Sequence, residues 1–317
     1  MQSTQQKVLA AIVTFNGAKT ISETLNALQK QTRLPDAFLV VDNASTDQTL
    51  KIIEQLQIKN LKINLQSRNA GVAAAYNLAL KEAVADNFDW LWLFDQDSVC
   101  EPGCLENLLA EANNIKSDGI HPSVLFPTHY LKSRPDYLLA PWKWNGLEMI
   151  DVAKPVNSLH NYTAVHTSMT SGALYSLCVI KNEKGFREAF FIDFVDHEYH
   201  MRLFANGYSL FWVYKAQILH SLGKTIVNAR GQLLIYHEPW RYFFIGQNMF
   251  TSYWKWGGFR AVWHLRKKIK HMMEYYKNFD EIDHKNIWKH FKLGMRYAVF
   301  SRFSLKILPK SIIALIR

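Results

Sequence analysis

Two carboxylates one residue apart, Asp95 and Asp97, follow the apolar run Trp90-Leu91-Trp92-Leu93-Phe94. A short continuous apolar run reads as a strand buried on both faces, which puts the pair at its exposed carboxyl end. Hard divalent cations take one or two carboxylates, keep several waters and complete their shell with phosphate oxygens. In open α/β sheets, ligands gather beyond the carboxyl ends of the strands. Asp-x-Asp also occurs in solvated turns, so its chemistry depends on what stands beside it. A second acidic group, Asp193, Asp196 and Glu198, precedes Arg202. Carboxylates there can move protons or simply complement a helix N-terminus.

Holding such groups together requires strands whose ends share one edge. Val8 to Thr14 reads as a buried strand, with a helix from about Thr20 to Gln31 after the turn Phe15-Asn16-Gly17. Ala37 to Val41 is a second strand ending at Asp42-Asn43, with Ser45 or Thr46 placed to cap a helix running to about Gln57. Leu61 to Gln66 is a third, ending at Arg68-Asn69; Gly71 opens an alanine-rich helix to about Ala85, and Asp89 to Phe94 is the fourth strand. Strands alternating with helices predict a parallel α/β sheet, so Thr14, Asp42, Arg68 and Asp95 fall along one edge.

The pattern then changes. Pro102 begins a helix to about Asn113, and His121 to His166 is less periodic and reads as an irregular insertion. A short strand returns at Ser171 to Tyr175. Asp196-His197-Glu198 opens a helix to about Asn206, with Gly207 as its C-cap. Tyr208 to Tyr214 is a further strand, followed by His220, and from about Glu238 the chain reads as mainly helical.

Composition narrows the classes. The 317 residues are 49% hydrophobic, enough for one large domain with an appended segment. Three cysteines without CxxC spacing suggest neither a disulfide framework nor structural zinc. No signal or transit peptide is readable at the N-terminus and no apolar run approaches a membrane span, which makes a cytoplasmic protein the expectation. From His220 onward, 18 Lys and Arg stand against 5 Asp and Glu, whereas the preceding residues carry 19 against 22. The net charge of +10 therefore belongs to the C-terminal segment. Phe259 to Tyr276 sets Phe259, Val262, Leu265, Ile269, Met272 and Tyr276 at helical spacing opposite Arg260, Arg266, Lys267, Lys268 and Lys270. Such a helix can lie on an anionic membrane surface or pack on the catalytic domain. No nucleic-acid-binding motif accompanies the charge, and no GxGxxG follows the first strand, which disfavours a dinucleotide oxidoreductase.

Taken in order, Ile12-Val13-Thr14-Phe15-Asn16, Val40-Val41-Asp42-Asn43-Ala44-Ser45-Thr46-Asp47, Asn69-Ala70-Gly71-Val72-Ala73, Asp95-Gln96-Asp97-Ser98 and Phe191-Ile192-Asp193-Phe194-Val195-Asp196-His197-Glu198 resemble the family-2 glycosyltransferases, in particular a bacterial rhamnosyltransferase-like branch. The resemblance spans roughly Val8 to Asn248. It implies a GT-A (Rossmann-like) nucleotide-diphospho-sugar transferase fold over residues 1–235, with a donor-binding half to about 100 and an acceptor half after it. A mainly helical basic segment would cover 236–317. It further implies that Asp42 accepts the imide N–H of uracil or thymine, with Thr14, Asn16 and Arg68 around the base and phosphates. Asp95 and Asp97, with His220, would hold Mg²⁺ or Mn²⁺. Gly172 would let backbone approach the donor sugar. Asp196 would be the general base of an inverting transfer, with Asp193 and Glu198 as neighbouring carboxylates that raise its pKa, and Arg202 marks the alignment. Val195 departs from the second acid many relatives have there. Arg241-Tyr242 and Asn248 resemble a segment placed against donor or acceptor in that branch. The implied reaction carries L-rhamnose from dTDP-rhamnose to a polyprenyl-diphosphate-linked saccharide for surface polysaccharide. UDP-galactose, UDP-glucose or a furanose donor, and a non-catalytic nucleotide-sugar-binding membrane scaffold, stay open.

Overall fold

A computed structural model describes residues 6–154 and 160–301; the end of the basic segment and a few residues of the 121–166 stretch lie outside the described residues. The elements in chain order are β1 (Val8–Thr14), α1 (Ile21–Gln29), β2 (Ala37–Asp42), α2 (Thr49–Gln55), β3 (Leu61–Leu65), α3 (Val72–Ala85), β4 (Trp90–Asp95), β5 (Ser98–Cys100) and α4 (Cys104–Ser117). Then come β6 (Pro122–Leu131), β7 (Arg134–Leu139), β8 (Trp142–Trp144), β9 (Met149–Asp151), β10 (Tyr162–Ala164), β11 (Ala173–Ser176), α5 (Leu177–Ile180) and, after a 3₁₀ turn, α6 (Val195–Ala205). The described residues end with β12 (Ser209–His220), β13 (Lys224–Val227), β14 (Leu233–Tyr236), α7 (Arg241–Tyr276) and α8 (His284–Ser301).

Ten strands form one sheet whose main path runs β10-β12-β6-β11-β4-β1-β2-β3. From β3 to β4 every pairing is parallel, and the register sets Thr14 beside Asp42 and Val13 beside Asp95. Because side chains alternate along a strand, β1 sends Val8, Ala10 and Ile12 to one face with Trp90, Trp92 and Phe94, packed by α1, α2 and α4. Leu9, Ala11 and Val13 go to the other face with Leu91 and Leu93, packed by α3 and α6. Each fully buried aliphatic side chain contributes about 1.5–3 kcal/mol, so a one-residue slip that exchanged the faces is strongly disfavoured. Chain order reverses between β1 and β4, the switch point at which such sheets bind ligands.

The 121–166 stretch, expected to be irregular, instead carries strands β6 to β10 among its described residues. β6 runs ten residues through the middle of the sheet, parallel to β12 and antiparallel to β11. Its apolar pattern is masked by Ser123, Thr128 and His129, which are buried and, for the last two, partnered inside: Thr128 Oγ1 accepts from Trp212 Nε1 at 2.9 Å and His129 Nε2 lies 2.7 Å from the Ser171 carbonyl. Pro127, which lacks an N–H for the ladder, sits where the register slips between Val213 and Gln217, the bulge at which proline is tolerated in a sheet. β12 is also longer than the expected strand ending at Tyr214, and carries His220 as its last residue. Ser45 and Thr46 do not cap α2; its N-cap residue is Gln48, which makes no side-chain cap bond, and Asp47 in the turn before it accepts from Thr49 N at 3.0 Å.

The C-terminal segment forms its own small core, in which Tyr253, Ala261, Leu265, Ile269, Met273 and Tyr276 of α7 meet Ile287 and Phe291 of α8. Gly246 and Gly294 let the two helices touch, since a Cβ on either would overlap the backbone of Phe291 or Phe243. α7 kinks at Gly258, which has φ 59 and ψ −150. The amphipathic helix expected from Phe259 to Tyr276 is thus packed on protein through most of its apolar face, while Phe259 remains 69% and Trp263 52% exposed. Among the described residues no helix is long and apolar enough to cross a membrane.

Candidate active site

β4 ends at Asp95, and the chain turns through Gln96 and Asp97 into β5. Antiparallel pairing of β5 with β12 sets Ser98 opposite His220, and that register delivers the histidine to the two aspartates. One ligand atom from each of Asp95, Asp97 and His220 lies within 4.8 Å of the others. Their surroundings hold them firmly. Asp95 accepts from the Tyr76 hydroxyl at 2.5 Å and donates its N–H to Ser171 Oγ at 3.0 Å. Ser98 Oγ lies 2.6 Å from Ser171 Oγ and 2.7 Å from His220 Nδ1. Gln96 Oε1 accepts from Thr14 Oγ1 at 2.7 Å and Phe15 N at 2.9 Å, tying the ends of β1 and β4 together.

Asp97 Oδ1 is buried without a hydrogen-bond partner, 3.7 Å from His220 Nδ1. Burial pushes the Asp97 carboxyl above its ordinary pKa; His220 works against that and the Asp95 charge adds to it. An orphaned buried carboxylate oxygen is costly. Two carboxylates and an imidazole converging on one point are the donor set a small divalent cation takes, so these residues fit Mg²⁺ or Mn²⁺.

The cluster opens into a cavity of about 680 Å³, whose lining also includes Asp193, Asp196, His197, Trp240 and Arg241. Asp196 stands in the first turn of α6, where its Oδ1 accepts the His197 N–H at 2.8 Å. His197 is set in turn by Thr167 Oγ1, 2.9 Å from its Nδ1, and by the Trp142 ring at 5.0 Å. The two carboxylates expected beside Asp196 are committed elsewhere. Asp193 is gripped by Arg241 through bonds of 3.0 and 2.5 Å. Glu198 is nearly fully buried between Arg202 at 3.2 Å and Lys255 at 3.0 Å. Burial alone would raise the Glu198 pKa, but the two cations outweigh it and hold the group below its usual value. Both acids are therefore structural partners of cations, because a charge this enclosed persists only when paired.

Of the residues expected around the donor, Thr14 and Asp95 line the cavity and the others stand outside its wall. Asp42 is 1% exposed, and its carboxylate closes a local turn by accepting from Ser45 N at 2.9 Å and Ser45 Oγ at 2.5 Å. Asn16 Oδ1 accepts from Thr46 N at 2.8 Å, linking the loops after β1 and β2. Arg68 is exposed. Gly172 has φ +78 and its missing side chain faces Ile218 and Pro127, so the glycine serves a turn within the sheet. Asn248 does not face the cavity; its amide is buried against backbone carbonyls.

Five further residues of the cavity lining are marked weakly or not at all in the sequence. Tyr76 interrupts an alanine-rich helix, and a lone aromatic on such a face was the available signal. Asn43 follows Asp42 and lines the cavity with Oδ1 buried and unpartnered. Gln96 lies between the two aspartates themselves. Trp142 and Trp240 carry no local pattern that marks them.

A doubly wound α/β sheet with an Asp-x-Asp turn at its switch point and a mixed second half defines the GT-A class of fold. Residues 10–167 match the family model described as Glycosyl transferase family 2, and through them the chain belongs to that family and is a glycosyltransferase. It is 25% identical over 247 residues to dTDP-rhamnosyl transferase RfbF of Shigella flexneri, covering 77% of this chain and 78% of that protein. It is 32% identical over 154 residues to poly(ribitol-phosphate) beta-N-acetylglucosaminyltransferase TarS of Staphylococcus aureus strain Mu50, covering 43% of this chain and 27% of TarS. The crystal structure of S. aureus TarS matches with a TM-score of 0.53 at 19% identity over 98% of this chain and 50% of that one. That of GalNAc-T7 with UDP, GalNAc and Mn²⁺ matches with 0.64 at 15% identity, over 96% and 59%. Likeness at such identities is likeness of fold.

Proposed function

We propose that this glycosyltransferase is inverting and metal-dependent, and that it transfers L-rhamnose from dTDP-rhamnose to a saccharide on a polyprenyl diphosphate carrier. The observation that carries the reading is one cavity lined both by Asp95, Asp97 and His220, whose ligand atoms lie close enough together to hold a cation, and by Asp196. The relation to a dTDP-rhamnosyl transferase over most of both chains favours this donor. The three cluster residues would hold Mg²⁺ or Mn²⁺, which when bound offsets the charge gathering on the departing diphosphate. Asp196 receives the proton of the acceptor hydroxyl. The freed oxygen attacks the anomeric carbon from the side opposite the diphosphate, the bond to the diphosphate breaks, and the configuration inverts. Thr14 and Gln96 keep the two strand ends in place beneath the donor.

A lipid-borne acceptor requires enzyme and membrane to share a surface. Exposed Phe259 and Trp263, flanked by exposed Arg260, Arg266, Lys267 and Lys270, suit the interface of an anionic bilayer, where aromatic rings and cations are both favoured.

The similarity to an N-acetylglucosaminyltransferase makes the donor the point to test. A panel of dTDP-rhamnose, UDP-galactose, UDP-glucose and UDP-galactofuranose, assayed on a lipid-diphosphate saccharide with Mg²⁺, with Mn²⁺ and with chelator, should give product from dTDP-rhamnose only when metal is present. Transfer confined to a UDP-sugar would overturn the donor, and undiminished transfer under chelation would overturn the metal.

A further inference from the structure

Asn248 lies near the start of α7 and is fully buried, 55 residues along the chain from Asp193. Its Nδ2 donates to the carbonyls of Phe190 at 2.9 Å, Ile192 at 3.0 Å and Asp193 at 2.8 Å. Three acceptors around one atom fix the amide's orientation, since an oxygen in that place would meet only oxygens. The other end, Oδ1, is buried with no partner. What the side chain gains therefore lies on its donor side, and all of it is spent on one turn.

That turn is unusual backbone. Phe191, Asp193 and Phe194 have φ of 56, 62 and 61, all left-handed and none of them glycine. Non-glycine residues rarely adopt this region, and a cluster of them persists only where the surroundings over-determine it. Three restraints do so here. Besides Asn248, Val72 N donates to the Phe191 carbonyl at 2.8 Å, and Arg241 grips the Asp193 carboxylate. Two of the three come from α7. The turn feeds directly into α6, whose entry at Phe194 has no side-chain cap, and Asp196 is the second residue of that helix. The path of the turn thus sets where the Asp196 carboxylate enters the cavity.

We infer that Asn248 is a positioning residue for glycosyl transfer, holding the left-handed 191–194 turn that aims Asp196, so that the C-terminal helical segment is part of the catalytic apparatus. The inference rests on Asp196 being the base. Asn248 itself stands outside the cavity wall and acts only through the turn.

Asn248→Leu keeps similar bulk and removes the donors; Asn248→Ser leaves one short donor. Each would be compared with Asp196→Asn for kcat, donor KM, thermal stability and hydrogen exchange. Misplacing a reacting group by about 1 Å can cost on the order of 10²-fold. The expected result for Asn248→Leu is a kcat lower by about 10- to 100-fold, a donor KM within about threefold, and faster exchange confined to residues 190–196. Asn248→Ser falls between it and the wild type. Wild-type kcat in either folded variant overturns the inference, as does a loss in which donor KM and exchange throughout the domain move together, the mark of a packing role. If Asn248→Leu fails to fold, Asn248→Ser decides by the same criteria. Full activity of Asp196→Asn would instead sink the base assignment, whereas inactive Asp196→Asn beside fully active Asn248→Leu would sink only the role of Asn248.

Discussion

Two groups of residues in the cavity lining are placed in different ways. On the proposed donor side, Thr14 and Asp95 are placed by the register of neighbouring parallel strands, and His220 by the pairing of two antiparallel ones. On the proposed acceptor side, Asp196 is placed by a left-handed turn clamped from a helix some fifty residues further on. A strand end inherits its precision from the whole sheet, whereas a clamped turn inherits it from a few hydrogen bonds. Damage to the first should therefore appear as lost stability, or as lost metal and nucleotide binding together with the turnover that depends on them, and damage to the second as lost turnover with binding intact.

The largest effect should come from beneath the strand ends. Trp92 is fully buried, packs edge-on against Phe94 with ring centroids 4.6 Å apart, and donates to the Gly172 carbonyl at 2.9 Å. Trp92→Ala should lower unfolding free energy by about 3–5 kcal/mol in chemical denaturation. A loss below about 1 kcal/mol would mean the donor side is not underwritten by the sheet core. Next is Asp97→Ala, expected to lower metal-dependent turnover by roughly 10²-fold or more, with weaker nucleotide binding in the presence of metal. Unchanged dependence on metal would remove the cluster from the reaction.

The smallest effect concerns pH and stability, through a buried residue of α6 that does not line the cavity. His200 is fully buried, with Nε2 2.7 Å from the Tyr175 hydroxyl and Nδ1 3.3 Å from Thr167 Oγ1. Burial, reinforced by neighbouring His197, holds its pKa well below the usual histidine value. The unfolded chain takes up a proton below about pH 6.5 and the folded chain does not. The stabilising contribution is therefore complete above that pH and lost as pH falls. Between pH 7 and pH 5 the loss through His200 should approach about 2 kcal/mol, read from denaturation curves at the two pH values, with a shallower slope in His200→Asn. Equal slopes for both proteins would show that this imidazole does not set the acid sensitivity.

The same contrast explains what could be read from the sequence. Runs such as Val8 to Thr14 and Trp90 to Phe94 are buried on both faces, so the strands and the carboxylates at their ends follow from local pattern. β6 was hidden because its buried polar residues find partners such as Trp212 and Ser171 that are remote in the chain. Asp42 lay at the predicted strand end, yet its carboxylate is taken by Ser45 only three residues on, a local competition that spacing does not resolve. The pairing of Asp193 with Arg241 and of Glu198 with Lys255 spans 48 and 57 residues, which left the acidic cluster looking like a set of free neighbours for Asp196.

The central claim is a division of labour, with the diphosphate held through Asp95, Asp97 and His220 and the acceptor proton taken by Asp196. Calorimetric titration of Asp196→Asn with dTDP and Mg²⁺ or Mn²⁺, paired with a turnover assay on the same preparation, tests it most directly. General-base loss typically costs about 10²–10⁴-fold. The account predicts turnover reduced by that order, with nucleotide and metal affinity within about threefold of wild type. Turnover close to wild type, or affinity that falls as far as turnover does, would contradict it.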